Sequence, residues 1–165
     1  MSKKFKAGQN AVYPVHGVVE VQGVEEKEIL GSKKAFYILN VLESNVKLMV
    51  PTDNINSVGL RPVVAKKEVK KVLDILKEED GEIPKLGVQS WNKRYKEYAD
   101  KVKSGDIYEI ATVLRDIHHL KKVKNLSFGE KRIMENALSH VVKELSISLR
   151  KKEGDVSSQI EEIFS

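Results

Sequence analysis

Residues 46–76 read VKLMVPTDNINSVGLRPVVAKKEVKKVLDIL, and the spacing of apolar residues changes inside this stretch. From Val46 to Pro51 the period is two: Val46, Leu48 and Val50 fall on one side, Lys47 and Met49 on the other. That alternation marks a half-buried strand. Beyond Pro62 the period is 3.6. Val69, Val72, Leu73 and Leu76 form one stripe of a helix expected over about residues 66–79. Gly59 and Pro62 punctuate the change. The chain is therefore expected to hold two modules, residues 1–62 and residues 66–165.

Upstream of this switch the sequence reads as strands. Ala11-Val12-Tyr13-Pro14 is a short strand stopped by proline, and Gly17-Val18-Val19-Glu20-Val21 is rich in β-branched residues. Lys34–Leu42 (KAFYILNVL) is nearly all apolar or aromatic. Gly31-Ser32 and Ser44-Asn45 supply turn chemistry between the runs. Four or five short strands in so few residues predict a small antiparallel barrel of SH3 or Tudor type.

Downstream it reads as helices. Asp80-Gly81 ends the first of them, and Ser90 is the expected N-cap of the second. The second is striped by Trp91, Tyr95, Tyr98 and Val102 and closed by Ser104-Gly105. Asp106 is placed to cap a third, striped by Ile107, Ile110, Leu114 and Ile117. Ser127-Phe128-Gly129-Glu130 has the form of a capping box. It starts the longest helix, which carries Met134, Ala137, Leu138, Val141 and Leu145. Gly154 is expected to break that helix and Asp155 to cap a last short one. The fold class is α+β: a β-barrel followed by a compact all-α module of about five helices.

Composition narrows the chemistry. The chain has 165 residues, 32% charged and 41% hydrophobic, which is ordinary for a globular protein. With no cysteine, disulfides, zinc knuckles and thiol catalysis are excluded. Neither a signal peptide nor an apolar run of about 18 residues is visible, so a cytoplasmic protein away from membranes is expected. The net charge is +5, and its excess is concentrated: residues 85–132 carry 12 Lys/Arg against 6 Asp/Glu. A local basic face is what phosphate binding requires, although a solvated helical surface looks the same in sequence.

Enzyme signals are poor. His118 and His119 are adjacent, so on a helix they diverge by about 100° and cannot share a metal. His16 and His140 stand apart from any ligand pattern, and neither a nucleophile elbow nor a phosphate loop is present. Carboxylates such as Glu97 are spaced to pair with lysines such as Lys101 on a helix surface. No catalytic activity, cofactor or metal is expected.

Ser90-Trp91-Asn92-Lys93-Arg94-Tyr95-Lys96-Glu97-Tyr98 is more informative. It places the single Trp, two Tyr and three cations at a helix start. Helix starts and basic side chains attract phosphate. An apolar side chain beside them can wedge between bases in a minor groove. The same residues also read as a core stripe with a wet basic side, and the sequence leaves both readings open.

The residues resemble those of the CarD/CdnL family. The opening Phe5-Lys6-Ala7-Gly8-Gln9-Asn10-Ala11-Val12-Tyr13-Pro14-Val15-His16-Gly17 is similar to the family's start. Met49-Val50-Pro51, Ser57-Val58-Gly59-Leu60-Arg61 and Trp91-Asn92-Lys93-Arg94-Tyr95 follow in order. So do Ser104-Gly105-Asp106, Val113-Leu114-Arg115-Asp116 and Leu126-Ser127-Phe128-Gly129-Glu130-Lys131-Arg132. The ordered set spans almost the whole chain.

This resemblance implies a Tudor-like module that binds the β subunit of bacterial RNA polymerase, related to one in the transcription-repair coupling translocase. It implies a helical module that contacts promoter DNA near the upstream edge of the −10 element. There a tryptophan wedges in the minor groove and stabilises the open complex. Trp91 matches the wedge, and Lys93, Arg94, Lys96 and Lys131 match or neighbour basic positions that face DNA. Lys27, Ile29, Met49 and Pro51 fall on segments that approach the polymerase. Some members carry Arg at the positions of Lys27 and Met49, so Met49 lacks a forked donor. A monomer is expected. Two other readings remain: a free-standing architectural DNA-binding protein, and a protein adaptor in which Trp91 is core.

Overall fold

A computed structural model describes residues 5–78 and 91–165; the side chains of Asn56, Trp91, Asn92, Lys93 and Val123 lie outside that description. The chain divides into two compact units, Met1–Val63 and Val64–Ser165. Its architecture is a Tudor-like antiparallel sheet followed by five helices, as the periodicities predict.

The first unit contains β1 (Asn10–Tyr13), β2 (Gly17–Ile29), β3 (Ser32–Val41), β4 (Lys47–Pro51), the single-turn helix α1 (Ile55–Val58) and β5 (Arg61–Pro62). The sheet order is β4-β3-β2-β1-β5, and every pairing is antiparallel. One face is core: Val19 and Val21 of β2, Tyr37, Leu39 and Val41 of β3 and Val50 of β4 pack with Phe5, Ile55 and Leu60. The Phe5 ring meets Tyr37 edge-on at 6.1 Å, and the Phe5 amide donates to the Tyr37 hydroxyl at 3.2 Å. Gly59 closes α1 at φ 77, and a Cβ there would come within 3.1 Å of the Pro14 ring. Both the left-handed backbone and the close approach call for glycine.

The strand β2 runs eight residues past the expected end at Val21. A bulge at Gly23 shifts the register, and residues 25–29 continue, all exposed, paired only with β3. Glu, Lys and Gly are poor strand formers, so composition hid this ribbon. It is held by its backbone ladder to β3, which pairs residues 23–29 with 32–38. The turn sits at Leu30-Gly31, not Gly31-Ser32, with φ 51 and 79 between the paired Ile29 and Ser32. These are the two left-handed positions of a type I′ turn, and leucine is a poor occupant of the first.

The second unit holds α2 (Val69–Lys77), α3 (Trp91–Lys103), α4 (Ile107–Val123), α5 (Phe128–Leu149) and α6 (Glu153–Phe164). The expected N-cap Ser90 and stop Asp80-Gly81 lie outside the described residues. Two other caps form as read. Asp106 accepts the amides of Tyr108 and Glu109, and Ser127 with Glu130 makes the reciprocal capping box. Nearly every side of α4 is buried: Ile107, Ile110, Ala111, Val113, Leu114, Ile117 and Leu120 all enter the core. Lys101 does not settle on Glu97 of its own helix; its ammonium lies 3.7 Å from Glu109 of α4.

The end of α5 departs from expectation. The helix stops at Leu149, where Arg150 takes the left-handed conformation at φ 55. The Lys151 amide then donates to the Ser146 carbonyl at 3.0 Å, as in a Schellman-type stop. Gly154 lies inside α6, which follows Lys152; Asp155 sits in its first turn, where a carboxylate favours the helix dipole.

Replacing Leu30 with Asn is expected to stabilise the β unit by about 1 kcal/mol, because Asn tolerates the left-handed position. Chemical denaturation of the two proteins, read through the midpoint at constant slope, checks this.

Candidate interaction faces

Helix α3 is buried through Tyr98 and Val102. Tyr95, expected in the same stripe, is 40% exposed and is a rim residue. Lys96 lies on the outward side and is fully exposed, while Arg94, one turn before Tyr98 on the buried side, is part-exposed. The side chains of Trp91 and Lys93 lie outside the described residues, although both positions belong to α3.

Tyr98, in the middle of α3, is buried in the core that α3 shares with α5. Burial pushes its phenol up to about 12; the Asp116 carboxylate reinforces the shift, Arg94 opposes it, and Glu97 and Glu130 add to it. Tyr98 therefore senses Arg94 on one helix and Glu130 on the other. Glu130 is fully buried. Burial pushes its carboxyl upward, but the Ser127 amide at 2.8 Å and the Lys124 ammonium at 2.9 Å more than offset that, leaving it below the usual range. This anchored turn presents Lys131 and Arg132 to solvent, with Phe128 81% exposed beside them. Phe128 and Arg132 were not singled out from sequence. The signal was available: Phe128 falls between the two capping-box residues, off the stripe that begins at Met134.

The β unit has a second candidate face. Registers place Gly23 opposite Ile38, Glu25 opposite Phe36 and Lys27 opposite Lys34, with Ile29 opposite Ser32. They also place Ile38 opposite Met49 and Phe36 opposite Pro51. Because side chains alternate, Lys27, Ile29, Phe36, Ile38, Met49 and Pro51 share the outer face. The structure thus brings the four expected residues Lys27, Ile29, Met49 and Pro51 onto one surface. Ile29 and Met49 are each 42% exposed. Phe36 and Ile38 join them half-buried. Sequence reading missed both because KAFYILNVL is apolar on either side, which hides its period.

This face ends at an open edge, since β4 is the last strand. The Val41 amide donates to the Val46 carbonyl at 2.8 Å. Hydrogen-bonded and non-bonded pairs then alternate along the ladder. Lys47, Met49 and Pro51 occupy the non-bonded pairs, so their main-chain groups point off the edge. Pro51 has no amide to offer, as is common on edge strands.

The histidines diverge. His118 stacks on Phe164 with centroids 4.0 Å apart, and burial pushes its pKa down, while His119 is buried. Among the described residues no group of three or more His, Cys, Asp or Glu could hold a metal. None of the described helices is long and apolar enough to cross a membrane.

A Tudor-like sheet with an open edge, followed by a helical module with an exposed basic and aromatic surface, is the build of a two-part binding protein. Residues 5–64 match the CarD-like/TRCF RID domain family, and residues 71–161 match the CarD C-terminal domain family. A Bacillus subtilis (strain 168) protein named as a candidate transcription factor, YdeB, is 38% identical over 143 residues, covering 87% of this chain and 91% of that one. Among solved structures, CdnLNt from Myxococcus xanthus is 44% identical over 39% of this chain and 90% of its own, with TM-score 0.33. The 72-residue N-terminal domain of Myxococcus xanthus CarD is 31% identical over 38% of this chain and 83% of its own, with TM-score 0.31. The chain belongs to the CarD-like family of transcription regulators, and its first module is of the RNA polymerase-interacting type.

The raised Tyr98 pKa fixes a sign. The neutral phenol is favoured in the folded state, so its contribution is complete below the ordinary value of 10 and is lost as pH rises towards 12. Thermal melts between pH 9 and pH 12 should fall less steeply for Tyr98→Phe than for the unmodified chain.

Proposed function

We propose that the chain is a non-catalytic monomer that holds the β subunit of RNA polymerase with its sheet and promoter DNA with its helices, and so stabilises the open complex. The observation that carries this reading is a set of exposed cations on two helices that share one core. Arg94 and Lys96 of α3 are partly and wholly exposed, and Lys131 and Arg132 of α5 are exposed next to the anchored capping box and the exposed Phe128. Cations engage phosphates without regard to sequence. Trp91, at the first position of α3, is the proposed wedge, with Lys93 in the same first turn.

Minor-groove insertion costs a few kcal/mol for each unstacked step. It is therefore cheapest where the duplex is already melting, at the upstream fork of the bubble. A wedge that fits only the fork favours the melted state by its differential affinity. The excess of +5 charges is too small to support tight binding to free DNA, and polymerase supplies the missing concentration. For the polymerase contact, the β4 edge offers main-chain groups at Lys47 and Met49 to a partner strand. Lys27, Ile29, Met49 and Pro51 line the adjoining face. Met49 contributes apolar area in place of a forked donor.

The test is open-complex lifetime on a ribosomal-type promoter with the cognate polymerase. The unmodified chain should lengthen it, and Trp91→Ala, once shown to melt at the same temperature, should lose the effect while still binding polymerase. Met49→Glu should lose polymerase binding at least tenfold, the equivalent of about 1.4 kcal/mol. No change in lifetime from a chain that binds polymerase overturns the reading.

A further inference from the structure

The first residue of the helical unit is held at both its main-chain groups. Pro62 is paired with Ala11 in the sheet of the first unit. Two residues later, both main-chain groups of Val64 are taken by α5. Its amide donates to Glu144 Oε2 at 2.8 Å, and its carbonyl accepts from the Ser148 hydroxyl at 2.6 Å. Glu144 and Ser148 are one helical turn apart and so lie on one side of the helix. The Val64 side chain packs against the helical core. Only Val63 separates the two anchorages.

Glu144 is 2% exposed. A carboxylate is costly to bury, and an apolar residue would pack there more cheaply. A charge-assisted hydrogen bond to a main-chain amide is about twice as strong as a neutral one, which suits a carboxylate to hold a piece of chain in place. Ser148 completes the grip on the opposite side of the same peptide segment.

We propose that Glu144 and Ser148 are positioning residues that clamp the tether at Val64, limit its free length to a single residue, and are required for open-complex stabilisation. The requirement rests on the function proposed above; the clamp itself does not. A module delivered by a tether acts at an effective concentration set by the tether's length and stiffness. Freeing Val64 and Ala65 would lengthen the free segment from one residue to about three and loosen the delivery.

The full chain carrying Glu144→Met and Ser148→Ala tests this. The chain has no cysteine, so Glu43→Cys and Ser158→Cys accept a spin label each without interference. The clamp variant should show a broader distance distribution between the labels than the unmodified chain. It should bind polymerase and free DNA unchanged, yet lose part of the added open-complex lifetime. Glu144→Gln with Ser148 intact keeps the acceptor and should restore both readouts. A chain with four Gly/Ser residues inserted between Val63 and Val64 leaves the clamp and core untouched and should lose more of it than the clamp variant does. An unchanged distribution in the clamp variant overturns the clamp. A broadened distribution with full lifetime overturns the positioning role, as does an insertion without effect. If the unmodified chain fails to lengthen the lifetime, the functional reading falls, and the clamp stands or falls on the distance distribution alone.

Discussion

The helical unit depends on the burial of α4. Its wide apolar face, from Ile107 to Leu120, cannot face water and must be covered. Its residues Ile110, Leu114 and Ile117 lie at the centre of the core, and Tyr98 and Val102 of α3 and Val141 and Leu145 of α5 pack in the same core. This constraint decides what α3 can offer. With Tyr98 and Val102 turned inward, Lys96 is left towards solvent and Arg94 sits at the rim. The capping box fixes the first turn of α5, because Glu130 Oε1 accepts from the Ser127 amide and meets the Lys124 ammonium, while the Glu130 amide donates to the Ser127 hydroxyl. The exposed cations of both helices are thus a by-product of how the core closes.

The β unit solves a different problem. It is too small to bury both faces of its sheet. Inward residues of β3 form the core, and the outward ones, Phe36 and Ile38, remain half-buried beside Met49 and Pro51. Apolar residues on an outer face next to an unpaired edge are a liability in an isolated domain. The polymerase contact proposed for this face would cover them.

Much of this was legible in sequence where one local rule governs. The change of period near Pro62, the cap at Asp106 and the box at Ser127 each have one dominant physical cause. Legibility failed where two causes compete. Gly154 reads as a stop, but Arg150 takes the left-handed turn because the Ser146 and Ile147 carbonyls are there to be satisfied. The charged run after Val21 reads as loop, but its hairpin partner makes it a strand. Leu30 occupies a turn position that propensity assigns to Asn or Gly. The grip of α5 on Val64 joins residues 80 and 84 positions apart and leaves no periodic trace in the sequence. For the proposed DNA face, the cations were readable, but whether Tyr95 was core or rim was decided by packing in three dimensions.

The central claim is that two individually modest surfaces act through one tether. The most direct measurement is the affinity of the chain for fork-junction promoter DNA, with and without polymerase, between 50 and 200 mM salt. The account predicts weak binding of the free chain, falling steeply with salt in proportion to its few phosphate contacts, and much tighter binding when polymerase is present. Tight binding to the same DNA without polymerase would contradict it and identify a free-standing architectural protein.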